Sequence, residues 1–152
     1  MVVNYTMWQN NYSEARDLFR QYSSKTYNKY EKRSGHFFID GDKETTVDYL
    51  LLQNPKSTKL HILISGTHGV EGYAGSAIQF KTLDDILKKS DSSSDPSTSY
   101  LMIHALNPYG YKNNRRCTKN NIDLNRNYLE SDNFHESDYP HRIFELMSTY
   151  LF

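Results

Sequence analysis

The fold of this chain is decided by residues 60–72, which read LHILISGTHGVEG. The run at 60–64 is apolar apart from one histidine, a pattern that predicts a buried strand. Glycines follow at every third position and let the backbone turn tightly after the strand. The stretch therefore predicts a strand that ends in a tight loop.

This loop carries His68 and Glu71, three positions apart. An imidazole and a carboxylate are two of the three protein ligands of an open catalytic zinc site, which keeps its fourth position for water or substrate. Taken alone, Glu71 has a second interpretation, because the dipole at a helix N-terminus also favours a carboxylate. His68 and Glu71 are therefore candidate zinc ligands whose assignment depends on the rest of the chain.

Apolar periodicity predicts the elements on either side of the loop. Strands are expected at 46–52 and 100–106, with a helix over 73–89, while the polar segment 23–44 is read as a loop or weak hairpin. The order strand, helix, strand implies a right-handed crossover. The predicted fold class is therefore α/β, with a mixed, mostly parallel sheet flanked by helices. In such sheets, sites form beyond the carboxyl ends of the strands.

Two helices have an apolar face that can be assigned residue by residue. The first begins at Ser13 as N-cap, and its core-facing residues are Ala15, Leu18, Phe19 and Tyr22. The second is the helix over 73–89, whose apolar positions are Ala74, Ala77, Ile78, Leu83, Ile86 and Leu87.

Composition limits the function classes. The 152 residues suffice for one domain, and the 18 basic and 18 acidic residues balance, so neither nucleic acid nor an anionic membrane is indicated as a partner. The first residues lack the pattern of a signal peptide, and no apolar run has membrane-spanning length. Cys117 is the one cysteine, which excludes an intrachain disulfide. A cytoplasmic protein is expected.

A second group of polar residues follows the strand at 100–106. It contains the turn signature NPYGY at 107–111, the pair Arg115-Arg116, and the run DLNRN at 123–127. Together with the His/Glu loop, these motifs resemble the zinc carboxypeptidase (M14-like) superfamily in order and spacing. The sequence of residues 65–77 resembles its DUF2817 branch more closely still. Over residues 12–128 the resemblance implies a carboxypeptidase-like fold with a bound Zn²⁺.

The resemblance assigns a role to each matching position. His68 and Glu71 match two zinc ligands, and Asp123 matches the acid that accepts a hydrogen bond from the ligand histidine. Arg116, preferred to its neighbour Arg115, matches the arginine that polarises the scissile carbonyl and stabilises the oxyanion.

A substrate clamp is implied by the same comparison. Asn125 and Arg126 match the pair that holds the terminal carboxylate of a peptide, for which the planar arginine fork is suited. Without the resemblance, Arg126 would be read as a surface salt-bridge partner, and Asp123 and Asn125 as turn residues. His104 lies in an apolar strand and is expected to be a core histidine, whereas His61 is expected on the strand surface.

The family pattern is incomplete in this chain. It requires a third ligand histidine and a general-base glutamate further along than residues 129–152 extend, and no matching motif surrounds His135, His141, Glu136 or Glu145. The apolar ending after the helical pattern at 139–147 suggests a chain cut short. Residues 1–152 are thus expected to be the N-terminal part of one carboxypeptidase-like catalytic domain, with a Ser/Asp-rich surface loop at 90–99.

Three functional interpretations remain open. The first is a zinc-dependent hydrolase that cleaves an amide bond next to a free carboxylate, with a small peptide as substrate. The second is a catalytically silent remnant or binding module, and the third is an amidohydrolase acting on N-acyl amino acids. The residues do not indicate an oligomeric state.

Overall fold

The computed structural model describes residues 7–39, 42–89 and 97–126. The helices are α1 (Tyr12–Ser24), α2 (Gly72–Lys89) and the short α3 (Pro108–Lys112), and a 3₁₀ turn covers Gly69–Glu71. The strands are β1 (Glu31–Ile39), β2 (Asp42–Gln53), β3 (Leu60–Ile64) and β4 (Ser99–His104). The α/β class and the predicted elements at 46–52, 60–64, 73–89 and 100–106 are confirmed.

In the described residues the sheet is mixed and mostly antiparallel, so the prediction of a mostly parallel sheet is wrong for this part of the chain. Its order is β1-β2-β4-β3, in which β1 with β2 and β2 with β4 are antiparallel and only β3 with β4 is parallel. The difference comes from β1, which forms within the segment read as a loop or weak hairpin. Because β2 starts so soon after β1 ends, the two strands pair as an antiparallel hairpin.

The first core cluster fills the space between α1, α2 and one face of the sheet. From the sheet it contains Leu50, Leu52 and Met102. The α1 residues Ala15, Leu18, Phe19 and Tyr22 are buried in it, as predicted. The N-cap of α1 is Asn11 instead of Ser13, because the Asn11 side chain accepts a hydrogen bond from the Glu14 backbone N–H at 2.9 Å.

The buried face of α2 differs from the predicted one. Leu83 and Ile86 are buried as expected, but Ala74 and Ile78 are exposed, with 61% of the Ile78 surface accessible. Phe80, absent from the prediction, is fully buried and stacks on Tyr22 with the ring centroids 5.9 Å apart. Packing against α1 therefore selects which stripe of α2 is buried.

A second apolar cluster lies on the opposite face of the sheet. Its buried members are Val47, Leu51, Leu101 and Ile103, and the side chains packed against them are Phe37, Ile39, Tyr49 and Leu106. By register, β3 adds Leu60, Ile62 and Ile64 to this face, but all three are exposed. The expectation that the strand at 60–64 is buried is wrong in the described residues, among which β3 lies at the edge of the sheet.

Two predicted histidine environments are confirmed. His104 is fully buried, and its Nε2 lies 2.9 Å from the Ser76 hydroxyl, whereas His61 is exposed on β3. In the ranges given above, no helix is long and apolar enough to cross a membrane. Most of the predicted loop at 90–99, the helical pattern at 139–147, and His135 and His141 lie outside the described residues.

Candidate active site

The loop after β3 is held against the end of β4. The backbone N–H of Leu106 donates to the Ser65 carbonyl at 2.9 Å, and that of Asn107 donates to the Gly66 carbonyl at 2.8 Å. Gly66 has φ of 64°, and a Cβ atom there would lie 2.9 Å from the Cβ of Ala105. Glycine is required at this position by both the left-handed backbone and the close approach, and the turn it makes directs the chain towards His68.

A second contact joins this loop to α3. At Gly69 an added Cβ would lie 1.9 Å from the backbone carbon of Gly110, so the two segments touch backbone to backbone. The Gly69 N–H also donates to the Arg115 carbonyl at 3.1 Å. Backbone contacts alone therefore fix the His/Glu loop to α3 and to Arg115.

The Asn107 side chain joins α3 to the residues that follow it. Its Oδ1 accepts a hydrogen bond from the Gly110 N–H at 2.8 Å, and its Nδ2 donates to the Arg116 carbonyl at 3.2 Å. The sequence identified Asn107-Pro108 as a turn and gave this residue no role. The signal available was an asparagine that follows a buried strand and precedes a proline, a pattern typical of a cap.

His68 lies between two carboxylates. Its Nε2 is 2.9 Å from Oδ1 of Asp123, and its Nδ1 is 3.0 Å from Oε1 of Glu71. His68 is only 7% exposed, whereas the Glu71 side chain is 68% exposed. The site therefore holds the imidazole firmly on the Asp123 side and leaves the Glu71 side accessible.

Asp123 is the centre of the hydrogen-bond network. Besides His68, it accepts hydrogen bonds from Nε of Arg116 at 2.9 Å and from the backbone N–H of Asn125 at 2.9 Å. Partial removal of water around Asp123 raises its pKa, but the hydrogen bonds from Arg116, His68 and Asn125 outweigh this and lower the pKa to about 2. Asp123 is thus ionised at any pH near neutral.

The environment of His68 favours its protonated form. The hydrogen bond with Glu71 makes the largest contribution and raises the pKa of His68, removal of water opposes it, and the hydrogen bond with Asp123 adds to the rise. In the described part of the chain, the charged groups that act on the imidazole are thus the carboxylates of Glu71 and Asp123 and the guanidinium of Arg116.

The predicted clamp residues lie next to this network on the 123–126 turn. The N–H of Arg126 donates to the Asp123 carbonyl at 2.9 Å, and its Nη1 donates to the Asn125 carbonyl at 2.9 Å. The Arg126 side chain is exposed. The structure thus brings His68, Glu71, Asp123 and Arg116 into one connected group, with Asn125 and Arg126 adjacent in sequence to its central carboxylate.

The described ranges 7–39, 42–89 and 97–126 contain no group of three or more His, Cys, Asp or Glu side chains arranged to hold a metal ion. His68 and Glu71 are therefore at most two members of a ligand set.

The model of the family described as "Protein of unknown function (DUF2817)" matches residues 8–149. A search of curated proteins finds no match.

Proposed function

The chain belongs to the DUF2817 family, and we propose that it carries the site of a zinc-dependent metallohydrolase related to the zinc carboxypeptidases, which cleaves an amide bond next to a free carboxylate. One observation carries the proposal. His68 is held at Nε2 by Asp123, at 2.9 Å, while its Nδ1 faces the Glu71 carboxylate at 3.0 Å. A histidine fixed by a carboxylate at its far nitrogen is the usual arrangement of a zinc ligand.

The electron pairs around His68 explain why this geometry supports a cation site. In a neutral imidazole one ring nitrogen carries the proton and the other a lone pair. Ionised Asp123 accepts from Nε2, so the lone pair of Nδ1 points at Oε1 of Glu71. Two acceptors that face each other repel unless a proton or a metal ion lies between them. The pair therefore has the donor chemistry that zinc requires.

The distances are also compatible with zinc. Zinc–nitrogen and zinc–oxygen bonds of about 2.0–2.2 Å in a tetrahedral site place two ligand atoms roughly 3.4 Å apart. The observed separation of 3.0 Å needs only a small movement of Glu71, whose exposed side chain is free to make it. A third ligand would have to come from outside the ranges that the structure describes. The proposal therefore concerns a zinc site of which the described part of the chain supplies two of the three protein ligands.

When bound, zinc lowers the pKa of water and polarises a carbonyl group. The side chains of this chain would orient the substrate. Arg116 contacts Asp123 through Nε, so its terminal nitrogens are the ones available to a carbonyl oxygen that gains negative charge. Removing such a donor costs roughly 3–4 kcal/mol of transition-state stabilisation. Arg126 and Asn125 would hold the free carboxylate of the substrate.

A second candidate, a binding module without catalysis, is favoured by one feature of the same network. A protonated His68 would donate one N–H to Glu71 and the other to Asp123, and Arg116 would balance the remaining charge. The network is thus satisfied without a metal. This is the alternative that a metal-binding experiment must exclude.

The decisive experiment measures zinc directly. The wild-type protein and His68→Ala are equilibrated with zinc, dialysed, and analysed for metal per chain by atomic spectroscopy. His61→Ala is the matched control, since His61 is exposed on β3 and lies outside the site. We expect wild type and His61→Ala to retain more zinc than His68→Ala. Equal zinc in all three proteins would reject the metal assignment.

The substrate is tested separately. Peptides with a free or an amidated C-terminus and N-acyl amino acids are compared for zinc-dependent hydrolysis. Cleavage confined to substrates with a free carboxylate supports the clamp, and Arg126→Ala should then raise KM far more than it lowers kcat. Preference for N-acyl amino acids over peptides would favour the amidohydrolase.

A further inference from the structure

The buried face of α2 changes in character along the helix. Its first three buried residues are Gly72, Ser76 and Gln79, none of which is apolar, whereas the buried residues from Phe80 onward are apolar. Apolar packing is non-directional and tolerates small shifts of a helix along its axis, while a hydrogen bond requires a defined distance and angle. The first half of this face is therefore the part that can fix the position of α2 on the sheet.

Gln79 joins α2 to the two strands from which the site residues depart. Its side chain is buried, and its Nε2 donates to the Leu63 carbonyl at 2.9 Å and to the Ile103 carbonyl at 3.0 Å. Leu63 belongs to β3, which leads into the His/Glu loop, and Ile103 belongs to β4, which leads towards Arg116 and Asp123. One amide group thus holds the helix to the carboxyl ends of two neighbouring strands.

The oxygen of the same amide indicates why this position carries a glutamine. Oε1 of Gln79 is buried and has no hydrogen-bond partner among the residues that the structure describes. A buried polar atom in this state is unfavourable, and an apolar side chain would avoid it. The two hydrogen bonds from Nε2 offset this cost, so they account for a glutamine at a position that packing alone would fill with an apolar residue.

Ser76 makes a second polar contact one turn earlier on the helix. Its hydroxyl lies 2.9 Å from Nε2 of His104, the last residue of β4, and both side chains are buried. Ser76 and Gln79 are three positions apart, which places them on one face of the helix. The end of β4 is therefore contacted twice from this face, at His104 by Ser76 and at Ile103 by Gln79.

The same helix is continuous with one of the two candidate zinc ligands. Glu71 directly precedes α2, and its N–H donates to the His68 carbonyl at 3.0 Å. Gln79 lies further along the helix, about 12 Å from Glu71 at 1.5 Å per residue. A shift of α2 on the sheet would move Glu71 with it, whereas the start of the His/Glu loop stays with β3. The placement of Glu71 relative to His68 therefore depends on how α2 is held at the strand ends.

We infer that Gln79 is a positioning residue of the candidate site. Through the carbonyls of Leu63 and Ile103 it fixes α2 to the ends of β3 and β4, and it thereby holds Glu71 in place beside His68. Ligands of a metal site must be held to within about 0.5 Å, which directional bonds at the strand ends achieve better than apolar packing. The role of Gln79 in zinc binding rests on the proposed function, whereas its effect on the strand ends does not.

Hydrogen exchange followed by NMR tests the effect on the strand ends without a metal. Gln79→Met keeps the length of the side chain and removes the amide. The Ile103 carbonyl keeps its hydrogen bond from the Ser65 N–H, so the variant should fold. The reporters are the N–H groups of Leu106 and Asn107, which donate to carbonyls of the loop after β3. We expect their exchange to accelerate about tenfold more than that of the β2 amides, which report global unfolding.

Two further variants complete this experiment. Leu83→Met is the matched control, because it places the same side chain on the same buried face one turn further along, among apolar residues. It should leave the difference between the reporters and the β2 amides unchanged. Gln79→Leu also removes the amide and should act like Gln79→Met, which keeps the test available if one of the two does not fold. No selective acceleration in the Gln79 variants, or equal acceleration in Leu83→Met, would overturn the inference.

The role in zinc binding is measured on the same proteins by competition with a chelator. Removing a group that orients metal ligands lowers affinity by about 10–100-fold, and we expect about tenfold for Gln79→Met and no change for Leu83→Met. Unchanged zinc affinity in Gln79→Met beside faster exchange would refute the role of Gln79 in metal binding. If zinc binding by wild type does not depend on His68, the proposed function fails, and the exchange result still decides whether Gln79 fixes the strand ends.

Discussion

Substitution of His104 should change how the stability of the protein depends on pH. His104 is fully buried, with its ring stacked on Phe19 at a centroid distance of 4.9 Å and its Nε2 at 2.9 Å from the Ser76 hydroxyl. Burial lowers the pKa of His104 from 6.5 to about 3, and the positive charges of Arg20 and Arg16 add to the effect. The native protein therefore holds this imidazole neutral.

The size of this pH effect on stability follows from the difference in proton binding between the folded and the unfolded chain. Below pH 6.5 the unfolded chain binds a proton at His104 that the folded chain does not, so the contribution to stability is complete above pH 6.5 and is lost as the pH falls towards 3. One pH unit corresponds to about 1.4 kcal/mol. Lowering the pH from 6.5 to 5 should therefore cost about 2 kcal/mol, and the whole shift is worth about 5 kcal/mol.

Urea unfolding of wild type and His104→Gln at several pH values between 8 and 5 measures this effect. The substitution should lower the free energy of unfolding at pH 8, because the stacked and hydrogen-bonded ring is lost, by roughly 1–3 kcal/mol. It should also remove about 2 kcal/mol of the decline between pH 8 and pH 5. Other titrating groups are common to both proteins and cancel in the difference. An identical decline in both proteins would show that His104 is not held neutral by the fold.

Two further substitutions test how the site is built. Gly69→Ala would place a Cβ 1.9 Å from the backbone of Gly110 and should cost at least about 3 kcal/mol in urea unfolding. Gly35→Ala, whose Cβ would have as its nearest neighbour the side chain of Tyr49 at 2.8 Å and not a backbone atom, should cost less than half as much, and equal costs would contradict the close backbone contact at Gly69. Asp123→Asn should weaken zinc binding by about 10–100-fold in competition with a chelator. Unchanged affinity would show that Asp123 does not orient a metal ligand.

Local pattern was sufficient to locate most helices and strands. The spacing of Ala15, Leu18, Phe19 and Tyr22 follows the period of a helix, and their burial in α1 agrees with it. The pattern did not determine which neighbour each element would meet. For α2 the pattern predicted that Ile78 is buried and did not predict the burial of Phe80. The orientation of a helix about its axis depends on what the helix packs against.

In the candidate site, too, some contacts follow from the local sequence and others depend on the tertiary fold. His68 and Glu71 are close in sequence, so the loop alone predicts that their side chains are neighbours. Asp123 lies 55 positions from His68, and its placement against the imidazole was inferred only from the resemblance to a family. The hydrogen bond from Asn107 to the Arg116 carbonyl and the ion pair between Arg116 and Asp123 depend on how the segment 107–123 folds back on itself, which periodicity does not encode.

The sequence by itself therefore determined the local elements, the buried environment of His104 and the chemistry that the His/Glu loop offers. Those features follow from propensity, periodicity and residue type, which act over a few positions. The tertiary structure alone decided the strand order of the described sheet, the edge position of β3 within it and the contact of Asp123 with both His68 and Arg116. These features depend on long-range strand pairing and on backbone segments brought together by folding. The exposure of Leu60, Ile62 and Ile64 at the edge of the described sheet is the clearest example, since the same apolar run would be buried in the middle of a sheet.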